Sequence, residues 1–261
     1  LSKDDPLTDI PRLSAPIVMV HGISAFDRLF ATRRPQKEHF PGIRSILEGA
    51  GNRVLMPRLP ATAGIETRAA VLKAYVRREL GSQPFHLVGH SLGGLDSRYL
   101  ASNLGMAGQV VSLTTMGTPH TGSSFADWLV DRFARFFQPL YRRLGVPCDG
   151  VFDLTRASCA LFNENTPNVP GVRYFSVAGE IPRPMMGAGF RLPSRIVERH
   201  EGPNDGVVSV SSARWGEHCD VWAGDHLNLV NWPNKRLAKA GEVVDRAADY
   251  ARLLERMRGA E

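Results

Sequence analysis

Cysteine is scarce in this chain, with only Cys148, Cys159 and Cys219 among 261 residues. Three thiols close at most one disulfide, which excludes a disulfide-stapled scaffold. None falls in a Cys-x-x-Cys spacing, which argues against zinc binding and dithiol redox chemistry. Apolar runs are also short, and none reaches the ~18 residues that a membrane-spanning helix needs. Internal repeats and low-complexity tracts are missing, which removes solenoids and fibres. What remains is 43% hydrophobic and 22% charged, an ordinary balance for an enzyme-sized globular domain with a large core. A single domain over 1–261 is expected.

The formal charge of +6 favours anionic partners by long-range attraction. The arginines, however, are scattered in pairs such as Arg33-Arg34, Arg77-Arg78 and Arg142-Arg143. No nucleic-acid motif accompanies them, so nucleic acid is not expected as a partner. The chain opens with Leu1 and polar Ser2 to Asp5, without a signal peptide. A start other than Met suggests processing or trimming, which leaves a mature secreted protein and a trimmed cytosolic one both open, with secretion, after removal of a signal peptide, the favoured expectation.

Short apolar runs alternate with helical spacing along the chain. Ile17 to Val20, Asn52 to Met56, Phe85 to Val88, Gln109 to Met116, Val172 to Ala178 and His218 to Trp222 are candidate strands. Glu66–Leu80, Leu92–Leu104 and Gly241–Met257 are candidate helices between and after them. Strands alternating with helices imply a mostly parallel six-stranded sheet flanked by helices, with right-handed crossovers. One stretch breaks the alternation. From 121 to 170 there is no strand signal, yet Phe125, Trp128, Leu129, Phe133, Phe136, Phe137, Leu140, Tyr141 and Leu144 recur three or four residues apart. That spacing predicts an amphipathic helix, either packed on the core or serving as a cap whose apolar face lines a substrate cleft.

The strongest chemical signal is Gly89-His90-Ser91-Leu92-Gly93, placed between a strand and a helix. The sharp turn leaves Ser91 in a strained conformation with its hydroxyl projecting from the sheet, and the glycines make room. His90, inside the motif, is expected to point away from the reacting side. Serine needs a neighbouring base, and the order nucleophile, acid, histidine asks for a late His. His226 fits best, with His218 and His200 in reserve. Asp205, on the turn-rich Gly202–Val208 loop, is the preferred acid, with Asp220 and Asp225 as alternatives. Backbone N–H groups of Leu92 and Ile23 are the expected oxyanion donors.

These motifs, together with Ile17–Gly22, Gly117-Thr118-Pro119-His120-Thr121-Gly122, Asn204–Val208 and Asp225-His226-Leu227, resemble bacterial triacylglycerol lipases of the Pseudomonas/Burkholderia type. The resemblance implies a reduced α/β-hydrolase fold, a triad of Ser91, Asp205 and His226, and Ile23 and Leu92 as oxyanion donors. It also implies a helical lid within 121–170, with Phe125, Trp128, Leu129, Phe133 and Phe136 as substrate-facing residues. Two departures stand out. Those lipases hold calcium through an Asp two residues after the catalytic His, where this chain has Asn228, and through a carboxylate upstream of the catalytic Asp. Residues 181–197 contain none, so no metal is expected. The family's disulfide also lacks its cysteine shortly after Asp205, where Val210 or its neighbours stand. The expected activity is serine ester hydrolysis on apolar acyl chains, without a cofactor. Short-chain esterase, polyester hydrolase and acyltransferase are alternatives, and a non-catalytic binding protein is the alternative from another class. Lipid or other ester is the expected substrate, with transient contact to a lipid interface.

Overall fold

The computed structural model describes residues 10–23, 38–134, 149–241 and 245–261, with backbone only at 133 and 134. In chain order the main elements are β1 (Ile17–Val20), α1 (Ile43–Gly49), β2 (Val54–Leu55), α2 (Ile65–Leu80), β3 (Phe85–His90), α3 (Leu92–Ser102) and β4 (Val110–Met116). Then follow α4 (Ser124–Leu129), α5 (Asp149–Phe152), α6 (Arg156–Asn165), β5 (Arg173–Glu180), α7 (Arg191–Glu201), β6 (His218–Ala223) and α8 (Ala247–Arg258).

The six strands run in the order β2-β1-β3-β4-β5-β6, and every neighbouring pair is parallel. The sheet is thus wholly parallel, which explains why its central strands are buried along nearly their whole length instead of alternating with solvent. Strand parity splits the core in two. Ile17 and Met19 of β1 join Val88, Met116 and Val177 under α1 and α8, through Ile43, Leu47, Tyr250, Leu253 and Met257. Val18 and Val20 join Leu87 and Leu113 beneath α2 and α3, through Leu72, Val76 and Leu100. Each large side chain fully buried here stabilises by about 1.5–3 kcal/mol. The strand order reverses at β1 and β3, the place where open parallel sheets bind ligands at their carboxyl ends.

The aromatic segment departs from a single regular helix. α4 stops at Leu129 and passes into a wider π turn over Val130–Ala134. Positions 125, 129 and 133 repeat every four residues, longer than the 3.6 of an α-helix, and one wide turn absorbs that drift. Residues 135–148, which include Phe136 and Cys148, lie outside the described residues, as does the side chain of Phe133.

Candidate active site

Ser91 sits between β3 and α3 at φ 54 and ψ −126, a left-handed conformation that costs about 1–3 kcal/mol for a non-glycine residue. The neighbouring loop after β1 comes very close. A Cβ placed on Gly22 would lie 2.8 Å from Ser91 Cβ, so only glycine fits beside the hydroxyl. Ile23 follows directly and lines the same cleft as Ser91.

Asp205 is completely buried. Its Oδ1 accepts from the N–H groups of Val207 and Val208 at 3.0 and 2.8 Å, and its Oδ2 lies 2.7 Å from His226 Nδ1. A second bond, from His226 N–H to the Asp205 carbonyl at 2.8 Å, fixes the backbone as well. Because the carboxylate accepts, Nδ1 carries the proton of the neutral ring and Nε2 holds the lone pair. Gly117 caps this pair, since a Cβ there would stand 2.9 Å from Asp205 Oδ2 and 3.1 Å from His226 Nδ1. Ser91, Ile23 and His226 face one cleft with about 640 Å³ of empty space. Phe125, Leu129, Leu154, Phe190, Val207 and Leu227 make its walls apolar.

The other candidates have different work. Asp225, whose carboxyl burial pushes above its ordinary range, accepts from Gly187 N–H and Asn234 rather than from His226. Asp220 pairs with Arg256 and with His218, and His200 is exposed on α7. His120 bonds Thr115 and Arg98. Trp128 stacks on Phe125 at 6.0 Å between centroids. His90 corrects the expectation that it points away: it lines the cleft, its Nε2 3.0 Å from the His226 carbonyl. The strained turn at Ser91 breaks the strand's alternation, so residues 90 and 91 both reach the site.

Two anchors hold the surroundings. Arg68, fully buried on α2, donates to the His21 carbonyl at 2.5 Å, to the Pro60 carbonyl at 2.7 Å and to Asp96 at 2.9 Å. It therefore ties the loop carrying Ile23 to α3. Ser123 caps α4 by accepting from Phe125 N–H and donates its own proton to the Val207 carbonyl. Glu201 of α7 accepts from Ser124 N–H, so α4 is fastened to the Asp205 loop at its start.

The calcium position implied by resemblance does not fit a cation. Asn228 Oδ1 accepts from Asp225 N–H, and Asn228 Nδ2 donates to the Trp232 carbonyl. Both Asp225 oxygens face N–H donors, and Arg246 Nε donates to the Asn228 carbonyl. Hydrogens and a guanidinium, instead of open oxygens, point into that space. EDTA should therefore leave both melting temperature and esterase rate unchanged, since an ion that does not bind contributes no linkage stabilisation. A Ca²⁺-reversible fall in melting temperature on chelation would refute this. Cys159 and Cys219 are free thiols.

The fold and this strand–turn–helix serine define an α/β hydrolase, and the alpha/beta hydrolase fold family model matches residues 48–144. The chain is 31% identical to triacylglycerol lipase 2 of Saccharomyces cerevisiae, over 92% of this chain and 90% of that protein. It is 37% identical to the triacylglycerol lipase of Vibrio cholerae, over 83% and 79% respectively. A Staphylococcus hyicus lipase superposes with a TM-score of 0.71 at 19% identity, over 95% of this chain and 97% of that one. The chain belongs to the triacylglycerol lipase family of α/β hydrolases.

Nothing in the sequence singled out His39, Phe190 and Leu154, although all three line the cleft. His39 meets His90 across 51 residues, and no local spacing announces such a pair.

Proposed function

We propose that the protein hydrolyses neutral carboxylic esters with apolar acyl chains, through an acyl-enzyme on Ser91. His226 is the general base at Nε2, Asp205 holds its tautomer and stabilises the imidazolium, and the N–H groups of Ile23 and Leu92 receive the oxyanion. The observation that carries this reading is the bond from buried Asp205 to His226, which lines the same apolar cleft as a strained serine. Walls of Phe125, Leu129 and Phe190 favour an acyl chain and offer no counter-ion for a charged one. A fluorophosphonate probe tests it: stoichiometric labelling of Ser91, lost in Ser91→Ala, is expected, and no labelling refutes it. Water as acceptor, rather than an alcohol, is part of the proposal.

The 121–170 segment is the cap of this single domain, and α4 is its described cleft-facing part. Phe125, Ala126 and Leu129 cover the acyl channel in water, and a lipid surface offers them another apolar partner, which shifts the population toward an open state. Among the described residues no helix is long and apolar enough to cross a membrane, so that contact is peripheral. Activity on a long-chain ester should rise steeply above its solubility limit. Phe125→Ser with Leu129→Ser should blunt that rise more than turnover of a short soluble ester. Simple saturation through the solubility limit would instead mark a fixed wall.

A further inference from the structure

We propose that His39 and His90 form a positioning pair for His226, with His90 presenting a neutral ring to it and a hydrogen-bond donor to its backbone carbonyl. The inference takes from the preceding reading only that His226 is the general base. Its ground is the direction of two hydrogen bonds. His90 Nε2 lies 3.0 Å from the His226 carbonyl oxygen, which can only accept. His90 therefore carries its proton on Nε2, and its Nδ1 is an acceptor. His39 Nε2 lies 3.0 Å from that Nδ1 and must donate to it. The rings run in series, with centroids 5.1 Å apart between His39 and His90 and 4.5 Å between His90 and His226. A second proton on His90 would break the bond from His39.

The segment beyond His39 closes a ring of contacts. Trp232 Nε1 donates to the His39 carbonyl at 2.9 Å, and Asn231 Nδ2 donates to the Pro41 carbonyl at 2.9 Å. Asn231 holds the left-handed φ of 68 and also accepts from Arg246 N–H. Both residues lie on the turn that follows His226. The stretch from 39 to 41 thus grips this loop on one side through His90 and on the other through Trp232 and Asn231. Such bracing matters because a misplacement of about 1 Å costs roughly 10²-fold in rate.

Neutrality matters as well. When His226 takes the Ser91 proton its ring becomes a cation, and a second cation at His90 would oppose it. Burial, then the nearby His226 and His39 imidazoles, hold the His90 pKa well below its ordinary value. Among the described residues, the titratable groups around the pair include His21, whose ring centroid is 5.6 Å from that of His39, and His226 itself, with Asp205 and Asp225 beyond it.

The test compares His39→Leu, which removes the donor, with His39→Gln, which keeps an N–H. Turnover of a soluble p-nitrophenyl ester is followed from about pH 5 to 9, with rates expressed per phosphonate-titrated site. His39→Leu should lower kcat about 10-fold with KM within about twofold. The acid limb of kcat/KM should move up by ~0.5 pH unit or more, because His90 Nδ1 becomes open to a proton. His39→Gln should bring both back to within about twofold of the parent protein. A wild-type kcat and acid limb in His39→Leu, whatever its melting temperature, overturns the proposal, as does a His39→Gln variant as impaired as His39→Leu. Failure of the general-base reading is distinguishable, since His226→Ala would then react with the phosphonate as fast as the parent.

Discussion

Replacing Ser91 or His226 by Ala should lower kcat by about 10⁴–10⁶-fold while the protein keeps its fold, because neither substitution disturbs the strand packing. Asp205→Asn should cost somewhat less, about 10⁴-fold, by leaving His226 in the wrong tautomer. The structure sharpens the expectation for this aspartate. Its Oδ1 is already committed to Val207 and Val208, so the amide's NH₂ would face His226 Nδ1 and take away its proton acceptor. Double variants should be little worse than Ser91→Ala, since the three residues act as a unit. Near-normal turnover in Asp205→Asn would reassign the acid. Asp225 would then be the group to examine, as the carboxylate on the same loop as His226.

Arg68→Met should be the most damaging single change away from the cleft, at about 3–5 kcal/mol of stability. It strands Asp96, whose side chain is fully buried, whose Oδ2 is held by Arg68 and whose Oδ1 has no hydrogen-bond partner among the described residues. Burial raises the Asp96 carboxyl to about 7, with Arg68 pulling it the other way. The sign of the pH effect follows. Between the unfolded value near 3.8 and about 7 the folded protein holds a proton that the unfolded chain has lost, so stability falls as pH rises. Without Arg68 the folded carboxyl titrates higher still, and the fall continues past 7. The cost of Arg68→Met should therefore be larger at pH 8 than at pH 6 in thermal or urea melts. Equal costs at both pH values would show that Asp96 stays neutral in the parent protein. Loss of the Arg68 bond to the His21 carbonyl should also loosen the Ile23 loop and lower kcat in the folded fraction.

The strand–turn–helix around Ser91 was legible because such a tight turn is a local object. Apolar Phe85 to Val88, glycines at 89 and 93 and the following helix all lie within one short stretch. The same holds for the alternation of strands and helices, which the all-parallel sheet bears out. Element ends were less legible. The second strand, expected from Asn52 to Met56, shrinks to Val54–Leu55 at the sheet edge, where pairing with β1 alone supports it. The helix expected from 125 to 144 turns wide after Leu129 because a four-residue apolar repeat cannot stay on one face of an α-helix.

The sequence by itself determined the fold class, the ester-hydrolase class of chemistry, the tight turn that carries Ser91 and the asparagine that stands at position 228. These depend on which residue follows which, and short-range backbone geometry turns that order into a strained serine or a loop aspartate. Only the tertiary structure decided that His90 reaches the cleft, that His39 stands behind it and that Arg68 grips the His21 carbonyl. The preference for Asp205 was already in the sequence, but only the fold excluded Asp225 from the bond to His226. Each is a contact between segments far apart in the chain, chosen when the sheet order brings their ends together and buried polar groups must find partners. A linear pattern carries no record of that choice, because many pairings would satisfy the same residues until packing leaves room for one.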